Sequence, residues 1–269
     1  MGLKDKEQKI LDDWKLSSNL QGDNCFNYDG LILRGKPRRD EKGNWYYVKG
    51  EEEKNWCSNL GKRILVISKD LPYDCDEDIR IWTCRDNSKE HICIEENTFM
   101  GNLARWIVGV YDIITKGKYA PYDELDETHI IEVYDSIPLA RINCKKETGK
   151  GTCSDEILKE YCERYKRFLK EQIMLYDADI IICCGVYKVI ESLLRSIFTR
   201  IEHIETRFKK NEKWIYKGVK NDNKSVYIID SYHPSYPMRK GVITKKDAYE
   251  DLMWNFFEAY RKLNGSLEK

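Results

Sequence analysis

The chain has no net charge: 46 Lys and Arg residues stand against 46 Asp and Glu residues. Bulk electrostatic coating of nucleic acid or of an anionic membrane is thereby excluded, so a polyanion must be met by a local basic patch. No apolar run approaches the ~20 residues that a membrane helix needs. Met1 to Lys9 is polar and lacks the apolar core of a secretion signal, and Lys6 stands where an N-myristoylation signal wants Ser or Thr. The expectation is a soluble, cytoplasmic chain with no membrane partner. Ten cysteines are present, yet no Cys-x-x-Cys occurs, which argues against a zinc ribbon or a thioredoxin-type site. Internal repeats and low-complexity tracts are absent too.

What is present is enough to fold. Over 269 residues, 12% are aromatic and 41% hydrophobic, and the balanced charge removes the usual signature of disorder. Residues 1–60 read as an N-terminal helix and hairpin extension packed on a main domain of residues 61–269. Ile10, Leu11 and Trp14 suit a short amphipathic helix. Leu31 to Leu33 and Trp45 to Val48 read as strands joined through Asp40 to Asn44.

In the main domain, Arg63 to Ser68 and Asp179 to Cys184 are continuous apolar runs, the pattern of strands covered on both faces. Ile130 to Tyr134, Leu139 to Asn143 and Ser225 to Asp230 are further candidate strands. Helices are expected from Asn97 or Thr98 onward, over Ser154 to Tyr176, over Val186 to Phe198, and around Leu252 to Tyr260. Apolar strands alternating with amphipathic helices predict a three-layer α/β/α fold with a mostly parallel sheet of about four strands. Ligands of such sheets bind in the crevice at the carboxyl ends of the strands.

Those ends carry chemistry. Ser68-Lys69-Asp70-Leu71-Pro72-Tyr73 follows the first strand, Asn143-Cys144-Lys145-Lys146 the second, Gly185 the third, and Ser231-Tyr232-His233-Pro234-Ser235-Tyr236 the last. An Asp can activate water, an Asn can read a heterocycle's amide edge as donor and acceptor, and a His can stabilise a leaving anion.

In this order and placement the motifs resemble the uracil-DNA glycosylase superfamily, in a divergent bacterial-type branch, over roughly residues 60–262. His233-Pro234-Ser235 is the most specific piece. Asp70-Leu71-Pro72-Tyr73 is similar to the family's Asp-Pro-Tyr water-activating motif, Ile142-Asn143 to its base-reading Asn, and Asp179 to Gly185 to its third strand. Leu71 is an insertion relative to that motif, and Lys69 replaces a Gln.

The resemblance implies N-glycosidic hydrolysis on a base flipped out of DNA, as in base-excision repair. Asp70 would hold the attacking water and His233 would bond the base oxygen that gains charge. Asn143 would choose the base and Tyr73 would pack beside it. Ser68, Lys69, Gly185 and Ser235 would complete the substrate pocket. Lys145, Lys146, Lys150, Arg239 and Lys240 would meet phosphates on a local basic rim. Tyr236 and Met238 are candidates for the wedge that fills the vacated stack.

Two other classes remain open in the residues. One is a binding module of the same fold whose shifted acid motif has lost chemistry. The other is a glycosidase for free nucleosides or for a hypermodified base, as in phage defence. Iron–sulfur members of the superfamily use four cysteines. Cys144 and Cys162 fall in the region of the second pair, but the close first pair is missing, and only Cys25, Cys57 or Cys153 could replace it. The expectation is therefore a chain without cofactor or metal. Thr148-Gly149-Lys150-Gly151-Thr152 lacks the Lys-Ser/Thr pair of a nucleotide-binding P-loop.

Overall fold

The computed structural model describes residues 1–18, 20, 25–33, 37–39, 41–42, 45–47, 50–69, 78–82, 98–148, 153–206, 215–235 and 243–265. Its strands are β1 (Gly30–Leu31), β2 (Pro37–Arg39), β3 (Trp45–Tyr47), β4 (Ile64–Ser68), β5 (Leu139–Asn143), β6 (Ile180–Cys184), β7 (Arg200–Ile204), β8 (Ile215–Val219) and β9 (Ser225–Ser231). Its helices are α1 (Leu3–Ser18), α2 (Glu52–Ser58), α3 (Ile79–Trp82), α4 (Thr98–Lys116), α5 (Glu127–Ser136), α6 (Asp155–Arg164), α7 (Lys166–Tyr176), α8 (Tyr187–Ile197) and α9 (Lys245–Asn264).

Seven strands form one mixed sheet in the order β1-β5-β4-β6-β9-β8-β7, rather than about four. The four expected strands β5, β4, β6 and β9 are its parallel centre. Three antiparallel strands extend it at the edges. At one edge β1 takes in Leu31 of the expected Leu31 to Leu33 strand. β7 at the other edge escaped sequence reading, because it carries Arg200, Glu202 and His203 and lacks the apolar run of a doubly covered strand.

Alternation along each central strand sends side chains to two cores. Leu65, Ile67, Ala140, Ile142, Ile181, Cys183, Val226 and Ile228 pack with α1, α6, α7 and α8. Ile64, Val66, Leu139, Ile180, Ile182, Cys184 and Ile229 pack on the other face with α4, α5 and α9. The result is three layers, α/β/α. α4 presents Leu103, Trp106, Ile107, Val110 and Ile113 to its core at helical spacing. Among the described residues no helix is long and apolar enough to cross a membrane.

Three local expectations are corrected. Ile130 to Tyr134 lies in helix α5, not in a strand. Asp126 caps that helix by accepting from the Thr128 N–H at 2.9 Å, and Ile130 and Tyr134, one turn apart, are its buried pair. The single helix expected over Ser154 to Tyr176 is broken at Tyr165 (φ −108°, ψ 21°) into α6 and α7, and Ile157 in α6 is exposed. Trp45–Tyr47 pairs with Pro37–Arg39 and not with Leu31–Leu33, because Gly30–Leu31 is taken by β5 in the main sheet.

The N-terminal residues are fastened from below the sheet. α1 sends Glu7 into the interior, where its carboxylate accepts from the Leu31 N–H at 2.7 Å, the Tyr176 hydroxyl at 2.6 Å and Arg80 Nη1 at 2.8 Å. Gly30 (φ +143°) is required here, since a Cβ would lie 2.2 Å from a Glu7 oxygen.

Candidate functional site

At the carboxyl ends of the parallel strands, Ser68 is level with Asn143, and Cys184 is level with Ser231. All four share the parity of the α4/α9 face, and His233, beyond the end of β9, is brought to the same side by its contact with Phe99 of α4. The first turns of α4 close this face. Asn102 Nδ2 donates to the Pro234 carbonyl at 2.8 Å, and Phe99 packs on the His233 ring at 5.6 Å between centroids. Ser68, Asn143, Gly185 and His233, named separately from the sequence, are thus brought to one end and one side of the sheet.

His233 is the best defined of these groups. Burial pushes its pKa down to about 4, and the positive charges of Lys69 and Arg141 push in the same direction. Its imidazole is therefore neutral at pH 7. The Ser235 N–H donates to Nδ1 at 3.2 Å, so the ring proton resides on Nε2 and that edge is a hydrogen-bond donor. Ser235 thereby acts through its backbone. Gly185 (φ +68°) lies against the same residue, and a Cβ there would sit 3.1 Å from His233 Cβ and 3.2 Å from its backbone nitrogen. Gly185→Ala is expected to cost about 1–2 kcal/mol of stability for the left-handed backbone. It should also lower turnover about tenfold by displacing His233. Chemical denaturation and a rate assay on one preparation check both numbers.

Asn143 is fully buried, yet neither Oδ1 nor Nδ2 of its amide has a partner among the described residues. Leaving both ends of an amide unpaired costs free energy. A ligand with adjacent donor and acceptor atoms would remove that cost. The backbone of Asn143, in contrast, is held at both groups. Its N–H donates to Asp29 Oδ2 at 2.8 Å, and its carbonyl accepts from Lys146 Nζ at 2.9 Å. Lys146 also bonds both Asp29 oxygens at 2.6 Å, and Gln172 Nε2 donates to Asp29 Oδ1 at 2.9 Å.

The expected phosphate contact of Lys146 is therefore corrected. The side chain is fully buried, lies 4.9 Å from the Trp14 ring, and is neutralised by Asp29 inside the fold. Burial lowers its pKa while Asp29 opposes that shift. Lys146→Met should cost about 3–5 kcal/mol, because it strands the Asp29 charge in the interior. The double change Asp29→Asn with Lys146→Met should recover most of that loss. Urea unfolding of the three proteins tests the pair.

The other described basic candidates are engaged within the chain. Lys69 pairs with Asp155 at 2.6 Å, and Lys145 Nζ folds back onto the Glu147 carbonyl at 2.5 Å and the Thr148 carbonyl at 3.2 Å. Asp70, Tyr73, Lys150, Tyr236, Met238, Arg239 and Lys240 lie outside the described residues. Ser68 is buried at the foot of the crevice. The Cys184 thiol on the same face is pushed up to about 12, chiefly by burial.

Three neighbours escaped sequence reading. Phe99, Asn102 and Arg141 looked like ordinary members of a helix stripe and a strand. Arg141 is buried, and its guanidinium lies 4.6 Å from the Phe99 ring, with Nη1 3.7 Å from Met100 Sδ. A charged residue inside an otherwise apolar strand was the available signal.

The described cysteines are not gathered as an iron–sulfur cluster would need, and Cys75, Cys84 and Cys93 lie outside the described residues. Cys144 and Cys162 are buried free thiols, and the neighbouring Cys162 together with burial raises the Cys144 pKa well above its ordinary value, whereas Cys57 is exposed. Among the described residues no group of three or more Cys, His, Asp or Glu side chains is arranged to hold a metal. Comparison with models of known protein families and with curated proteins gives no match for this chain.

Proposed function

We propose that the chain is a DNA glycosylase of the uracil-DNA glycosylase type, hydrolysing the N-glycosidic bond of a flipped uracil or modified pyrimidine. The observation that carries this reading is the pairing of two groups at one sheet end. A neutral imidazole offers an Nε2–H donor, and a buried amide offers an unpaired donor and acceptor. A pyrimidine needs both kinds of contact, one to fix its edge and one to take charge as it leaves.

In the proposed reaction a water oxygen bonds to the sugar C1′ as the bond from C1′ to the base nitrogen breaks. The electron pair of that bond goes to the base, and its negative charge spreads onto a carbonyl oxygen of the base. His233 Nε2–H donates to that oxygen, and because the ring is already neutral it does so without first losing a proton. The Asn143 amide accepts from the ring N–H and donates to the adjacent carbonyl. Phe99, packed between His233 and Arg141, offers a ring face for the base. Asp70, assigned by the motif resemblance, orients the water and takes its proton, which ends on the departed base.

A second reading is favoured by one observation. Of the expected basic rim, Lys146 is buried and Lys145 is already bonded within the chain, and Lys69 of the expected substrate pocket is paired with Asp155. That suits a free nucleoside, or a hypermodified base, better than a wide duplex contact. The test assays abasic-site formation on single- and double-stranded oligonucleotides bearing uracil, a mismatch or a modified pyrimidine. Release of base from the matching nucleosides is followed in parallel. Abasic sites support the first reading, base from nucleosides alone supports the second, and neither product removes both.

A further inference from the structure

Arg141 is a charge for which the described residues hold no counter-ion. Its side chain is within a tenth of complete burial, its Nε has no hydrogen-bond partner, and Nη1 meets only the Met100 sulfur. Asp29 is the carboxylate whose charge reaches it, but the Asp29 oxygens are occupied by Lys146, Gln172 and the Asn143 N–H. The remaining groups around it are Tyr134, Cys184, His233 and the Phe99 ring, none of which is an anion at pH 7. Burial accordingly lowers its pKa, the mark of an ion not compensated in place. Retaining a bare guanidinium in a core is expensive, and hydrophobic substitutes for buried charges are often tolerated or stabilising.

Position gives the charge a use. Arg141 precedes Asn143 by two residues, so the two side chains leave the same face of β5 about 7 Å apart. Phe99 covers one face of the guanidinium, which leaves its edge for ligands, and an Arg edge bonds a carboxylate or phosphate bidentately. We propose that Arg141 is the seat of an oxyanion at the floor of the crevice, so that the site prefers a pyrimidine carrying a carboxylate over a neutral one. This rests on the base-binding reading of Asn143 and His233 and adds a substrate class to it. A phosphate group has the same chemistry, and the experiment separates the two sources.

The test is calorimetric titration of the full chain, wild type and Arg141→Met, with uracil, uracil-5-carboxylate, uracil-5-carboxamide and inorganic phosphate. The wild type is expected to bind the carboxylate roughly tenfold or more tighter than the isosteric amide, the range of a charged hydrogen bond. Arg141→Met should bind both alike, keep its affinity for uracil, and melt no lower than wild type. Phosphate bound by the wild type and lost in the variant, with no gain for the base carboxylate, supports the seat and names phosphate as its occupant. Equal binding of carboxylate and amide by the wild type, with no phosphate bound, overturns the inference whether or not the variant folds. So does a carboxylate preference that survives Arg141→Met. Uracil bound without any gain for the carboxylate leaves the glycosylase reading standing. A carboxylate preference in a chain that never forms abasic sites or frees base upholds the seat and removes that reading.

Discussion

His233→Ala is expected to lower free-base release by about 10²–10³-fold, the usual effect of removing one preorganised donor to a developing anion. The loss should fall on kcat more than on KM, because the hydrogen bond strengthens only as charge moves onto the base. A kcat/KM comparison under single-turnover conditions reads this directly. The same residue sets a pH dependence whose sign follows from its environment. Its folded pKa, about 4, is depressed below the ordinary value of 6.5, by burial first and then by Lys69 and Arg141. Neutral His233 therefore contributes its full share of stability above pH 6.5, and that share is lost as the pH falls toward 4, where the unfolded chain binds a proton that the folded chain refuses. The slope of stability against pH between 6.5 and 4 should flatten in His233→Ala, and urea titrations at several pH values measure it.

Asn143→Ala should move activity and stability in opposite directions. Two hydrogen bonds to the base are lost, and at about 1–1.5 kcal/mol each this lowers kcat/KM by roughly 10²-fold. The folded chain, however, gives up a buried amide that has no partner among the described residues at either end, so its stability should be unchanged or higher by about 1 kcal/mol. A residue kept for packing alone would show the reverse, with lower stability and little effect on turnover. Thermal melting and kinetics on one preparation distinguish the two. Held by Asp29 and Lys146 through its backbone, Asn143 has little freedom to rotate away, so the effect is expected to be local.

These two residues were legible in the sequence because they follow strands that announce themselves. Ile64 to Ser68, Leu139 to Asn143, Ile180 to Cys184 and Ser225 to Ser231 are apolar over most of their length, and each is a central strand. Their ends mark the crevice without further information. The misreadings have one physical origin. Periodicity records which faces are buried but not what buries them. Lys146 reads as a surface lysine because the Asp29 that neutralises it is 117 residues away along the chain. Ile130 and Tyr134 fit a strand as well as a helix until Asp126 is seen to cap the turn. Arg141 reads as an ordinary strand residue, although its guanidinium is buried against the Phe99 ring. The edge strand β7 carries Arg200, Glu202 and His203 and is largely exposed, so it lacks the apolar run that marks the central strands.

The balance of 46 positive and 46 negative residues takes on a more definite meaning beside the fold. Several cations near the strand ends are spent inside the chain: Lys146 on Asp29, Lys69 on Asp155 and Lys145 on backbone carbonyls. Binding to a DNA backbone would then fall to Lys150, Arg239 and Lys240, and its salt dependence should be shallow, with only a few phosphates neutralised.

The most direct test of the account is the amount of free pyrimidine released from a uracil-containing oligonucleotide by the wild-type chain, His233→Ala and Asn143→Ala. The account predicts release by the wild type and a loss of about 10²-fold or more in each variant, with both variants folded. Release that is equal in all three proteins would contradict it.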